Sequence, residues 1–142
     1  MNFYRGQYQK ATSNFFFENI NPATGEKICD VEASSEKDVQ EAITSATEGF
    51  KVWSKVSATE RGRILRKAAD LLRARNEEIA KIEVADVGKP LSEAIEVDVM
   101  TGADALEYFG GIAPSIHGEH YDLGNTFAFT RREPLGVCAG IG

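Results

Sequence analysis

The side chains in this 142-residue sequence with the widest chemical reach are two cysteines and two histidines. His117-Gly118-Glu119-His120 puts two imidazoles and a carboxylate in one short stretch. Zinc takes three or four spaced ligands, often from H-E-x-x-H on a helix. This stretch has neither that spacing nor a helical pattern, and an exposed polar turn fits it better. Cys29 and Cys138 could act as nucleophiles or metal ligands if ionised. They are far apart in sequence and sit in apolar, strand-like segments, so we expect buried, reduced thiols rather than a disulfide framework. Gly88-Lys89 has the end of a phosphate loop but not its frame. Glu83 stands where the first glycine belongs, and Pro90 where Ser or Thr should follow. Gly140-Ile141-Gly142 matches the start of a G-x-G-x-x-G dinucleotide turn, but the third glycine and the supporting helix are not in the sequence. A tight turn or close backbone packing is the favoured reading. No Ser/His/Asp, Cys/His or paired-carboxylate constellation can be assembled.

Charge and composition narrow the classes. The chain carries 16 Lys+Arg against 22 Asp+Glu, a formal charge of −6, where a nucleic-acid binder needs a basic surplus. At 42% hydrophobic and 27% charged, it can bury a core. No apolar run approaches the ~20 residues of a membrane span. The opening residues lack the basic-then-apolar pattern of a secretory signal. The expectation is a soluble, cytoplasmic protein with no nucleic-acid or membrane partner. Glu60, Arg61, Arg63, Arg66, Lys67, Arg73 and Arg75 form a charged helix face, either solvated or paired with acidic neighbours.

The elements that would position these groups follow from periodicity and punctuation. Residues 15–20 and 26–32 read as strands joined by Asn21-Pro22-Ala23-Thr24-Gly25, a hairpin whose turn has Pro to fix one angle and Gly to supply positive φ. Ser35-Glu36-Lys37-Asp38 predicts a capped helix start. Behind it Val39, Ala42, Ile43, Ala46, Phe50 and Trp53 make one apolar stripe. Ser57-Ala58-Thr59-Glu60 opens a second helix with a break near Arg75-Asn76 and a stop at Gly88. A third runs from Pro90 to Gly110-Gly111. Thr126 to Arg132 alternates as an edge or hairpin strand. Residues 135–142 are continuously apolar, which predicts a strand buried on both faces of a parallel sheet. Such a strand should feed a crossover helix, so the chain reads as the front of something longer. From the residues alone, the reading is a soluble α+β module.

The order of these pieces resembles the N-terminal portion of the aldehyde dehydrogenase superfamily over essentially the whole chain. The resemblance rests on residues 21–26, Phe50 to Ser54, Arg63-Ile64-Leu65 with Asp70, residues 83–90, residues 106–111, and Arg132-Glu133-Pro134-Leu135-Gly136-Val137. Residues 97–104 and 130–142 are most similar to the betaine-aldehyde branch. The resemblance implies an α/β fold, with residues 1–142 forming the front of a cofactor-binding domain that is incomplete at its C-terminal end. The part present would be an N-terminal hairpin, about three helices, a second hairpin and the first buried strand of the sheet. It also implies oxidation of an aldehyde, betaine aldehyde to glycine betaine, with NAD or NADP. In the family a cysteine thiolate attacks the aldehyde, hydride passes to the nicotinamide, and a glutamate-activated water releases the acid. No catalytic and no cofactor-binding residue of that apparatus falls within the chain. Neither Cys29 nor Cys138 holds the nucleophile's place, and the family's Trp-Asn-(Tyr/Phe)-Pro segment would begin just after Gly142.

Two further features come with the resemblance. Many members hold a monovalent cation, potassium or sodium, through carbonyls before the Asn-Pro turn and an Asp before Gly-Lys-Pro. Those positions here are Asn19, Ile20 and Asp86, all offering oxygen, as a hard cation prefers. The alternative for Asp86 is a structural partner near a helix end. The strand from Thr126 to Arg132 usually helps family subunits assemble, which implies a homo-oligomer, a dimer or tetramer. Against all this stands a non-catalytic α+β module acting in protein–protein assembly through the apolar edge Val137 to Ile141.

Overall fold

A computed structural model of the chain describes residues 1–141. The chain opens with a hairpin of β1 (Asn2–Tyr4) and β2 (Gln7–Gln9), paired antiparallel with Phe3 opposite Tyr8. Its two-residue loop is Arg5-Gly6, both at positive φ (54° and 72°), the conformation that matches the twist of hairpin strands. A second hairpin joins β3 (Phe16–Ile20) to β4 (Lys27–Glu32), with a register irregularity between Asn19 and Ile20. Cys29 lies opposite Asn19 in that ladder.

Then come the helices. In α1 (Glu36–Trp53) the Ser35 hydroxyl accepts from the Asp38 amide, and the Asp38 carboxylate accepts from the Ser35 amide at 2.8 Å. Asp38 also takes the Thr12 amide and hydroxyl, at 3.0–3.1 Å. Arg5 donates its backbone amide to Ser45 and its guanidinium to Glu41. The first hairpin is therefore fastened to the polar side of α1. Replacing Ser35 by Ala removes one half of the capping box, and thermal melts are expected to show a loss of about 1 kcal/mol.

Asp38 is buried, and the amide and hydroxyl donors of Ser35 and Thr12 hold its carboxyl below the ordinary carboxylate range against the opposing effect of burial. Folding thus selects the ionised form. The stabilisation is complete above the unfolded value near 3.9 and is lost as pH falls through the lowered folded value. The protection of the Thr12 amide relative to its intrinsic exchange rate should fall on acidification in that window, and Asp38→Asn should flatten the pH dependence.

Helix α2 (Ala58–Ala74) is capped by the Ser57 hydroxyl and ends at Arg75, where the chain re-enters helix as α3 (Asn76–Val87). The expected break is thus a boundary between two helices. Gly88 closes α3 at φ 74°. After Pro90 come a short α4 (Leu91–Glu93), a π-helical turn (Ala94–Asp98) and α5 (Val99–Ile112). The helix does not stop at Gly110-Gly111. Gly110 is buried inside α5 because it meets Gly62 of α2, and a Cβ built on Gly62 would lie 2.4 Å from the Gly110 carbonyl oxygen. Ala69 and Ala103, one i+7 step along each helix, are buried too. Ala80, Ala94 and Val99 form the other core, flanked by Ile79, Val84 and Ile95.

A third hairpin pairs β5 (His120–Asp122) with β6 (Phe127–Phe129), inside the segment expected to be a hairpin strand. The buried strand expected at 135–142 is not formed among the described residues. Residues 130–141 run without ladder pairing, and Leu135 and Ile141 are 95% and 99% exposed. A parallel strand exists only where neighbouring strands take its N–H and C=O groups, and none lies beside this segment. Gly142 lies outside the described residues. The cysteines also differ from expectation: Cys29 and Cys138 are both free and exposed, because the second hairpin and the 130–141 segment have no layer over them.

Candidate functional site

Two loops that sequence motifs mark separately are brought together at one junction. In the first, Asn21 accepts from the Ala23 amide through its side chain and from the Gly25 amide through its carbonyl, at 2.9 and 2.8 Å. Gly25, at φ 74°, lets the chain return into β4. In the second, the Gly88 amide donates to the Val84 carbonyl in a left-handed C-cap. The turn seats directly on the cap: a Cβ on Gly88 would lie 2.9 Å from Pro22 Cγ and 3.1 Å from the Ala23 nitrogen.

That seating carries Asn19 to Asp86, and the Asn19 side-chain amide donates to Asp86 Oδ1 at 2.7 Å. Ile20, next to Asn19 at the strand irregularity, is exposed. Of the three residues expected at a cation site, the structure links two directly and has the third adjacent. Asp86 is on the surface, so a cation reaching it need not cross a hydrophobic layer.

Beyond the cap, Lys89 folds inward. Its ammonium pairs with Asp98, with Glu83 at 3.6 Å and Glu93 at 4.0 Å, and the hydrogen bond to Asp98 leads in raising its pKa above the ordinary lysine value. These pairs hold the π-helical turn against the end of α3. The Asn76 side chain adds a bond from Nδ2 to the Ile95 carbonyl at 2.9 Å. Neither the π turn nor these partners is visible in the sequence, because nothing in local spacing marks a five-residue hydrogen-bond loop.

The other candidates resolve more simply. His120 stacks on Phe127 across the third hairpin, and among the described residues no group of three or more His, Cys, Asp or Glu could hold a metal. The arginine-rich face is partly paired: Arg63 with Glu60, Arg75 with Glu78, and Arg73 with Asp104 and Glu107. A cleft of about 470 Å³ lies between Phe50, Trp53, Arg61, Ile116, Arg132 and Pro134. Its lining contains no thiol or imidazole to begin covalent chemistry. Cys138 Sγ lies 3.7 Å from the Gly136 carbonyl oxygen.

Comparison with known proteins identifies the family. The model of the aldehyde dehydrogenase family matches residues 8–142. Among solved structures, an aldehyde dehydrogenase variant from Bacillus cereus superposes with a TM-score of 0.88 at 29% identity, covering 94% of this chain and 28% of that one. The indole-3-acetaldehyde dehydrogenase AldA of P. syringae, a mutant in complex with NAD+ and IAA, gives 0.81 at 31%, with 86% and 25% covered. A betaine aldehyde dehydrogenase variant from Staphylococcus aureus, in complex with NAD+, gives 0.77 at 30%, with 84% and 24% covered. The chain therefore spans about a quarter of the length of each structure. The likeness extends over 94% of the chain, the fold is the corresponding part of the α/β aldehyde dehydrogenase architecture, and the chain belongs to the aldehyde dehydrogenase family.

Proposed function

We propose that this chain is the front of the cofactor-binding domain of an NAD- or NADP-dependent aldehyde dehydrogenase. The reaction is oxidation of an aldehyde to a carboxylic acid, with betaine aldehyde giving glycine betaine. One observation carries the reading: the family match covers residues 8–142, and relatives of the same fold bind NAD+. The nicotinamide, when bound, accepts hydride from the substrate. Gly140 and Ile141 are exposed. The residues present instead supply a frame, in which the turn on the Gly88 cap and the α2–α5 crossing fix where later segments would attach.

The discriminating experiment reads the open frame past the codon for Gly142 and assays its product. A frame continuing into Trp-Asn-(Tyr/Phe)-Pro, whose product reduces NAD+ or NADP+ with betaine aldehyde, supports the reading. A product that oxidises indole-3-acetaldehyde but leaves betaine aldehyde untouched overturns the substrate. A frame that stops favours the alternative, a non-catalytic module for protein–protein assembly. That alternative draws on the exposed Val137 and Ile141.

Asn19, Ile20 and Asp86 fit a potassium or sodium ion: the donors are two carbonyls and a carboxylate, and Asp86 keeps Oδ2 beyond its bond to Asn19. Melting the protein across a NaCl or KCl series, against a choline chloride control, should show an ion-specific gain that Asp86→Ala abolishes. An unchanged gain in Asp86→Ala would leave Asp86 as Asn19's structural partner only. The third hairpin, exposed along both strands, supports assembly into a homo-oligomer. No described helix is long and apolar enough to cross a membrane; a cytoplasmic location belongs to the same proposal.

A further inference from the structure

The first twelve residues are tied to the rest of the chain by polar groups. At the tip of the first hairpin, Arg5 donates its amide to the Ser45 hydroxyl at 3.0 Å and its guanidinium to Glu41 at 2.8 Å. Near the base, the Ala11 amide donates to Glu32 at 2.9 Å, and the Thr12 amide and hydroxyl both donate to Asp38. The Ser34 hydroxyl donates to the Asn2 side chain at 2.7 Å. Apolar cover adds little. Phe3 and Tyr8 are exposed and pack edge-to-face on one another at 5.1 Å, and only Tyr4 among the hairpin's aromatics is half-buried.

These ties are gathered on three carboxylates. At 100° per residue, Asp38, Glu41 and Ser45 fall within an arc of about 60° on α1. Glu32, the last residue of β4, supplies the third carboxylate. An ionised carboxylate only accepts, whereas a protonated one gives up an acceptor site and turns a donor toward donors. The charged groups around the seat are Arg5 itself, the Met1 amino group at 3.8 Å from Glu32, and Arg75, which pairs with Glu78 and acts electrostatically on Tyr8. Asp38 takes neutral donors, the amides and hydroxyls of Ser35 and Thr12.

Two features favour opening at this seat. Asn2 Nδ2, in β1, is buried with no hydrogen-bond partner among the described residues, and water would satisfy it once the arm lifts. A ribbon of two three-residue strands does not hold together alone in water, so a lifted hairpin unravels. The helical body is held differently. Gly62, Ala69, Ala103 and Gly110 meet along the α2–α5 seam without a titratable group, and the flanking pairs of Arg73 with Asp104 and Glu107 are at the surface, where ion pairs contribute little.

We infer that residues 1–12 are an acid-released strap: one cooperative arm, latched by Glu32, Asp38 and Glu41, that lifts as a unit while α2–α5 stay folded. No latch residue belongs to the Asn19–Asp86 junction, so the inference stands apart from the proposed reaction. Its sign follows from Asp38. The Ser35 amide leads in holding that carboxyl below the ordinary value, and the Thr12 amide and hydroxyl add to the effect. Lifting removes the Thr12 share, so the lifted form binds a proton more readily. Seating is complete above the ordinary carboxylate value and is lost as pH falls through the lowered one.

The test is amide exchange of the whole chain by NMR, each rate corrected for its intrinsic pH dependence. From about pH 6 to about pH 3, protection at Arg5, Ala11 and Thr12 should fall together by about tenfold or more, while Ala69 and Ala103 change by less than about threefold. Asp38→Asn should remove most of that acid response. Arg5→Gln, an exposed change outside the helix cap, decides the matter if Asp38→Asn does not fold. Near neutral pH it should lower protection at Ala11 and Thr12 by a common factor of about two to five, although Arg5 touches neither. Acid loss confined to Thr12 overturns the strap and leaves Asp38 a local cap. Parallel loss at Ala69 and Ala103 overturns it in favour of global unfolding, and an Arg5→Gln effect that stops at the hairpin tip overturns it in favour of independent contacts.

Discussion

Replacing Gly62 by Val is expected to be among the most damaging single changes in the chain. The α2–α5 crossing brings two backbones together at Gly62 and Gly110, and even a methyl on Gly62 would lie 2.4 Å from the Gly110 carbonyl oxygen. The opposing atom is backbone inside a helix, so it cannot rotate away as a side chain would. The helices must separate, which loosens Ala69 and Ala103 along the same seam. Overpacking of this kind costs about 1–3 kcal/mol for added methylenes, and Val at a backbone contact belongs at or above the upper end. Gly102→Ala is the internal control. It lies in α5 with nothing within 4 Å of its would-be Cβ. There the change should raise stability by up to about 1 kcal/mol, the helix propensity difference between Gly and Ala. Urea melts of the three proteins test both. Equal midpoints for Gly62→Val and wild type would mean that the crossing is not tight.

The second large effect is at Gly88. Gly88→Ala puts a Cβ on a residue at φ 74°, a backbone cost of about 1–2 kcal/mol. It also drives that Cβ to 2.9 Å from Pro22 Cγ. The two add, so about 2–5 kcal/mol is expected, with the Asn-Pro turn lifted from the cap. Because that seating carries Asn19 to Asp86, the substitution should also weaken any sodium or potassium response without altering either residue. Gly25→Ala separates the causes. It has the same φ and open space around it, so it should show the backbone cost alone and keep the ion response.

How much of this was legible in the sequence depended on how local each cause is. Ser35 with Asp38, Ser57 with Glu60, and Gly88 each announce a helix end within four residues, and each end appears where they indicate. The Asn21–Gly25 turn was readable for the same reason. The first hairpin was not, because its turn is Arg5-Gly6 rather than Asn-Gly or Asp-Gly, and a positive-φ arginine has no signature. Gly110 looked like a stop and is a contact instead, since a glycine placed for its small size reads the same as one placed for its φ. The 135–141 segment shows the limit of apolar runs: they say that a segment would be buried, never by what. At the candidate site, the Asn19–Asp86 bond spans 67 residues, and no periodicity reports such a distance. Only the family resemblance placed those two residues together beforehand.

We propose that this chain contributes frame and not chemistry to aldehyde oxidation. The most direct measurement is NADH formation by the purified 142-residue chain with betaine aldehyde and NAD+, beside Cys29→Ser and Cys138→Ser variants. The expected result is no aldehyde-dependent reduction above the buffer rate in any of the three. Turnover by the native chain that either serine variant abolishes would contradict the account, because it would place a working nucleophile and a nicotinamide site within these residues.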